Sequence, residues 1–318
     1  MSKKILPNFF IVGAAKAGTT SLYHYLKQHP EIYMSPIKEP NYFAKDIDVS
    51  AFEESYRNIM TIDTKEYFSK EKLPELLSIF ITDFSDYVQL FRDVTNEKAI
   101  GEASVSYLYS KVAAQEIKKL VPNAKIIMVL RNPIERAYSH YLMNLRGGIT
   151  SNKNFLDEVI QDFNKKHKGW GISHLYIDLG LYYEQVKRYL DTFPKENVKI
   201  ILYEDYKQNP KKVLVELLDF LEVSKDVSID LNKRYNVRAA PRFPVLNTLA
   251  RRVYSFMAPK LPLTLRENLK KMYRKVFFSS YKGGLTAEEK KVLLKFFEED
   301  IKKLSALIQR DLSHWLKV

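Results

Sequence analysis

Near its start the chain writes a strand, a turn and a helix in immediate succession, and no other feature restricts its fold as much. The run Phe9-Phe10-Ile11-Val12 is short, β-branched and aromatic, which makes it a buried strand rather than a helix. The small-residue loop Gly13-Ala14-Ala15-Lys16-Ala17-Gly18-Thr19-Thr20-Ser21 follows, and Leu22, Tyr23, Tyr25 and Leu26 then recur at helical spacing. Such a loop gathers backbone N–H groups at a helix N-terminus, where the macrodipole favours an anion. Gly13 and Gly18 have the spacing of a P-loop, G-x-x-x-x-G-K-[ST], but Thr19 takes the place of the lysine, which stands earlier, at Lys16. A triphosphate and its magnesium need the later lysine; a nucleotide with a single 5′ group does not. Lys16 is placed to meet the bridging oxygen of such a group. On the loop alone, a tight turn with a surface lysine fits equally well.

The 318 residues suffice for one large α/β domain, and 46% of them are hydrophobic. Cysteine is absent, which rules out a disulfide framework and a thiolate metal site and fits a reducing compartment. No apolar run approaches the ~20 residues of a membrane span, and the stretch after Lys3 and Lys4 is too short for a signal peptide. No His/Asp/Glu cluster has metal-ligand spacing, so no metal is expected. The net charge of +13 points to polyanionic partners: a phosphorylated cofactor, an acidic substrate, a membrane surface or nucleic acid.

Further strands read as Glu31–Met34, Ala99 onward, Lys125–Leu130 and Val198–Tyr203, with helices over 73–80, 84–91, 112–120, 155–163, 181–193 and 210–221. Pro133 opens the helix after Lys125–Leu130, and Asn209-Pro210 caps another. Thr286-Ala287-Glu288-Glu289 is a capping box for a last long helix with an apolar stripe through Leu293, Phe297, Ile301 and Leu304. Ligands of open α/β sheets sit at the carboxyl ends of the strands. Lys38-Glu39, Glu102, Arg131 and Tyr203 all fall there. Arg131 at a strand end offers bidentate donors to a phosphate, and Ser139 adds a hydroxyl two turns along the helix. By spacing alone Glu39 is a surface carboxylate. The aromatics Tyr56, Tyr67, Phe68, Phe80, Phe84, Tyr87 and Phe91 fit core packing better than an acceptor site.

Three blocks together resemble sulfotransferases that use 3′-phosphoadenosine 5′-phosphosulfate (PAPS). Lys16-Ala-Gly-Thr-Thr-Ser-Leu resembles their 5′-phosphosulfate loop, and Leu130-Arg131-Asn132-Pro133 with Arg136 and Ser139 their 3′-phosphate block. Tyr203-Glu204-Asp205 through Asn209-Pro210 is similar to the segment whose tyrosine lies beside the adenine. His29-Pro30 and Lys38-Glu39-Pro40-Asn41-Tyr42-Phe43 are similar to the heparan-type and bacterial carbohydrate members, and the end Arg310–Trp315 is also familial. The resemblance implies a P-loop-like, nucleotide-kinase-like fold in three layers, with a mostly parallel central sheet and helices on both faces. It implies PAPS as donor, PAP as product and a hydroxyl-bearing acceptor. Lys16, Ala17, Gly18, Thr19, Thr20, Ser21, Arg131, Ser139, Tyr203 and Arg238 would bind the cofactor, and Lys16 would also stabilise the leaving oxygen. Glu39 would be the general base, with Glu102 as second candidate. Heparan-type enzymes carry a catalytic lysine where this chain has Ala103, so that part of their machinery does not transfer.

The stretch 242–282 holds ten basic residues against one acidic residue, Glu267. It reads as a basic helical insertion in a single domain over 1–318, either packed with a solvated basic face or docking an anionic substrate or membrane. The expected setting is cytoplasmic, with peripheral membrane contact as the alternative, and no specific nucleic acid is expected. The competing functions are an ATP-dependent phosphotransferase and a non-catalytic polyanion or membrane binder.

Overall fold

The computed structural model describes residues 4–232 and 284–317, the short strands at 239–241 and 278–280, and the helical positions Leu246 and Leu249. The rest of the 242–282 segment and Arg238 lie outside the described residues.

A five-stranded sheet forms the centre, in the order β2-β5-β1-β6-β7 with every pairing parallel. Its strands are β1 (Phe9–Gly13), β2 (Ile32–Met34), β5 (Ala99–Ala103), β6 (Lys125–Leu130) and β7 (Val198–Leu202). Between β2 and β5 the chain adds a parallel pair, β3 (Ile37–Lys38) with β4 (Leu76–Leu77). A two-stranded antiparallel ribbon, β8 (Ala239–Pro241) with β9 (Phe278–Ser280), frames the basic segment. Phe9, Phe10, Ile11 and Val12 of β1 are all fully buried, so both faces of the central strand are covered. Apolar alternation is therefore absent and the strand reads as one continuous run.

Helices follow their strands where the capping residues place them. Asn132 caps the helix Pro133–Gly147 through its side chain, with proline at the first position. Asn209 caps Pro210–Phe220 in the same way, and the capping box of Thr286 and Glu289 opens Ala287–Ile308. The expected helix over 73–80 is not formed. Leu76 donates to the Pro36 carbonyl at 3.1 Å, and Ile79 donates to that of Glu39 at 3.0 Å, so the stretch is pinned beside β3. Its apolar spacing mimics a helix, but pairing with a distant strand decides its backbone. Phe84–Gln89 is helical as expected.

Candidate active site

The site collects residues that leave the carboxyl ends of strands. The loop after β1 turns on two left-handed residues, Lys16 (φ 68) and Gly18 (φ 94), and Gly18 caps the helix Thr19–Leu26. A Cβ on Gly18 would lie 3.3 Å from the rings of Tyr203 and Tyr206, so both the dihedral and the close approach call for glycine. Thr19 is buried in the first helical turn, with Thr20 and Ser21 partly exposed beside it. The leading N–H groups of that helix have no intrahelical acceptor, so the loop presents donors to an anion.

Lys16 reaches from the crown of the loop to the helix Pro133–Gly147, where its amine lies 3.2 Å from Met143 Sδ. Burial pushes this amine down to about 8; Arg146, Arg131 and Lys38 push the same way, and Glu39 opposes them. Positive charge therefore accumulates around the loop, which is the electrostatic signature of an anion cradle.

Arg131 leaves β6 almost fully buried and fastens the cradle from the other side. It donates to the Lys16 carbonyl at 3.1 Å and pairs with Glu135 at 3.3 Å. Its guanidinium sits 4.8 Å above the Tyr203 ring, and its own carbonyl accepts from the Tyr182 hydroxyl at 3.0 Å. Lys16, Gly18, Arg131 and Tyr203 are thus one connected group. Ser139 stands two turns along the helix from Arg131 and is partly exposed.

Glu39 follows β3 in a left-handed conformation (φ 69). Its N–H donates to the Ala103 carbonyl at 2.7 Å; its own carbonyl accepts from Ile79 N–H at 3.0 Å and from Asn41 Nδ2 at 2.6 Å. Asn41 is anchored in turn, since its N–H donates to Ser104 Oγ and its Oδ1 accepts from Ser106 Oγ. The backbone of Glu39 is held on both sides, while its side chain pairs with buried Lys38. The Glu39 carboxylate opposes the other influences on Lys16, so the two charges act on each other.

Glu102 is placed differently. It is fully buried, accepts from the Tyr87 hydroxyl at 2.5 Å and from Ser104 Oγ at 2.9 Å, and has the Tyr107 hydroxyl beside it. Burial pushes its carboxyl up to about 7 against these hydrogen bonds. Tyr107 also receives the Phe43 N–H at 3.2 Å. Glu102 therefore sits beneath the 39–43 segment as part of its footing. Sequence reading marked Glu102 as an edge residue and missed Lys38 as the partner of Glu39. Alternation along a strand would have sent those two side chains to opposite faces.

Residues 6–305 match the family model described as the sulfotransferase domain. The chain belongs to the sulfotransferase family. A crystal structure of a sulfotransferase from Alicyclobacillus acidocaldarius is 32% identical with a TM-score of 0.71, covering 98% of this chain and 99% of that one. Among curated proteins, this sulfotransferase is 25% identical to the membrane-associated sulfotransferase kil1 of Dictyostelium discoideum, over 69% of this chain and 56% of that protein. It is 26% identical to carbohydrate sulfotransferase 15 of Homo sapiens, over 69% of this chain and 44% of that protein. The chain thus spans about half the length of these curated relatives. Among the described residues, no helix is long and apolar enough to cross a membrane.

Proposed function

We propose that this sulfotransferase moves the sulfuryl group of PAPS to a sugar hydroxyl, with Glu39 as general base. The observation that carries the reading is the meeting of Lys16, Arg131 and Glu39 at one loop, with the amine of Lys16 depressed by burial and by neighbouring cations. Likeness to a carbohydrate sulfotransferase supports the choice of acceptor.

The chain's residues fit the donor. The cradle gathers Lys16, Arg131 and Arg146 without a carboxylate inside the loop itself, and Gly18 leaves its backbone open to close approach. Tyr203, stacked under Arg131, offers a ring face to a purine. Bound there, PAPS would supply an activated sulfuryl group and a nucleotide leaving group. The loop amides and the hydroxyls of Thr19, Thr20 and Ser21 would hold the 5′ end, and Arg131 with Ser139 would hold the 3′-phosphate, with Arg238, outside the described residues, as the further donor expected from the sequence. Lys16 stabilises charge on the leaving oxygen. Glu39 takes the proton of the acceptor hydroxyl as the oxygen attacks in line. Its backbone is fixed on both sides, so the carboxylate needs little reorganisation.

A cysteine-free chain fits the cytoplasm, and the basic 242–282 segment fits an anionic surface. The test of the reading is transfer of label from radiolabelled PAPS to an acceptor panel of sugars, phenols, lipids and peptides, beside calorimetry with PAP. Tight PAP binding with labelled sugar supports it. Failure to bind PAP, or magnesium-dependent ATP turnover instead, overturns it.

A further inference from the structure

Close to Glu39 stands a group of aromatic rings that the transfer chemistry leaves unused: Ile79 donates to the Glu39 carbonyl, and the ring of the next residue, Phe80, meets that of Phe52 with centroids 5.2 Å apart. The turn Gly169–Ser173 is closed tightly: Ile172 and Ser173 both donate to the Gly169 carbonyl, at 3.1 and 3.0 Å, and Gly169 donates to Ser173 Oγ at 3.2 Å. Gly171 at its tip has φ 77, and a Cβ there would fall 2.4 Å from the Phe52 ring. The turn is thus clasped to the preceding segment, with the Glu53 N–H donating to the Gly171 carbonyl at 3.3 Å. The clasp brings together Trp170 at the tip, Tyr56 one turn beyond Phe52 (ring centroids 5.2 Å apart), and Tyr109, whose ring centre is 6.1 Å from that of Trp170. Phe52 and Phe80 anchor the group inside the protein, whereas Trp170, Tyr56 and Tyr109 are each partly exposed. Burial, and then the Glu39 carboxylate, push the Tyr56 phenol up to about 12, while a hydrogen bond with Trp170 works the other way.

We propose that Trp170, Tyr56 and Tyr109 form the acceptor subsite and that it takes a pyranose ring stacked on Trp170. This rests on the sulfotransfer reading above and names where its acceptor binds. A pyranose presents a C–H face that an aromatic ring desolvates and a rim of hydroxyls that need hydrogen-bond partners. The rings supply the first. The second is met by the hydroxyls of the partly exposed Tyr56 and Tyr109. An acyl chain would cover the rings and leave those hydroxyls without partners, and a phenol carries a single hydroxyl for the two of them.

The chain has two tryptophans, and Trp315 is almost completely buried, so Trp315→Phe leaves Trp170 as the reporter. That variant, saturated with PAP, is titrated with a panel of unsulfated glucosaminoglycan and galactosaminoglycan tetrasaccharides, and separately with p-nitrophenol and octanol. The expected result is a saturable change in Trp170 emission with at least one tetrasaccharide and with neither other probe. In the transfer assay with that sugar, Trp170→Ala should raise the acceptor KM at least ten-fold with PAP affinity within two-fold, and Trp170→Phe should recover most of the loss. An unchanged KM in Trp170→Ala, or emission unmoved by every tetrasaccharide, overturns the subsite. Loss of PAP binding by the unmutated protein would instead overturn the sulfotransfer reading on which it rests.

Discussion

Lys38 and Glu39 are neighbours in the chain whose side chains pair with each other, at 4% and 14% side-chain exposure. Consecutive residues of an extended strand point to opposite faces. The left-handed backbone at Glu39 undoes that alternation and swings the carboxylate back over Lys38. The ion pair with Lys38 thereby orients the proposed base. Lys38→Met, which preserves length without charge, should lower turnover at least ten-fold with PAP affinity unchanged, and Lys38→Arg should recover part of it. Steady-state rates beside PAP calorimetry check this, and a Lys38→Met enzyme at normal speed would remove the positioning role.

The cradle lysine should act on the transition state more than on binding. Removing one such preorganised donor typically costs about 3–4 kcal/mol of barrier, roughly 10²–10³ in rate. Lys16→Ala should therefore lose turnover on that scale while the PAP dissociation constant moves far less. Comparable losses in both would make Lys16 a binding residue only.

Glu102 gives a prediction for stability. Burial raises its carboxyl from an ordinary 4.5 to about 7, so the folded protein holds a proton there that the unfolded chain releases earlier. Its contribution is fully present below about pH 4.5 and is lost as pH rises through about 7, to the extent of roughly 3 kcal/mol. Asp300, raised to about 6 chiefly by burial, acts with the same sign. Glu102→Gln stays neutral, so its stability relative to the unmutated protein should rise between pH 5 and 8. Parallel denaturation midpoints across that range would show that Glu102 does not titrate in the fold.

Much of this arrangement was legible in the chain because local rules agree with the global fold. The β1 run, Arg131 at its strand end and the capping box at Thr286 are specified by residues a few positions apart. What escaped depends on contacts distant in sequence. Leu73, Leu76, Leu77 and Phe80 have helical spacing, yet hydrogen bonds to Pro36 and Lys38 make the stretch a strand and its flanks. Trp170 sits in a turn with no periodicity, and the clasp between Gly171 and Phe52 fixes that turn against a segment distant in sequence. Of the aromatics read as core, Tyr67, Phe80, Tyr87 and Phe91 are buried, whereas Tyr56, Phe68 and Phe84 are partly exposed.

Arg131 should select the 3′-phosphate. Wild type should bind PAP at least ten-fold more tightly than AMP, and Arg131→Ala should narrow that gap by weakening PAP more than AMP. Because Arg131 also ties the loop through the Lys16 carbonyl, some loss of AMP affinity is expected too. Equal affinities of the unmutated protein for the two nucleotides would contradict the assignment.

The central claim is that Glu39 takes the proton and Glu102 supports the segment that carries it. The most direct measurement is single-turnover transfer from radiolabelled PAPS to an oligosaccharide accepted by the unmutated enzyme, using Glu39→Gln and Glu102→Gln, each with its PAP affinity measured. The expected result is normal PAP affinity in both, transfer reduced at least a hundred-fold in Glu39→Gln, and most of it retained in Glu102→Gln. Substantial transfer by Glu39→Gln together with a dead Glu102→Gln would contradict the account and move the base to Glu102.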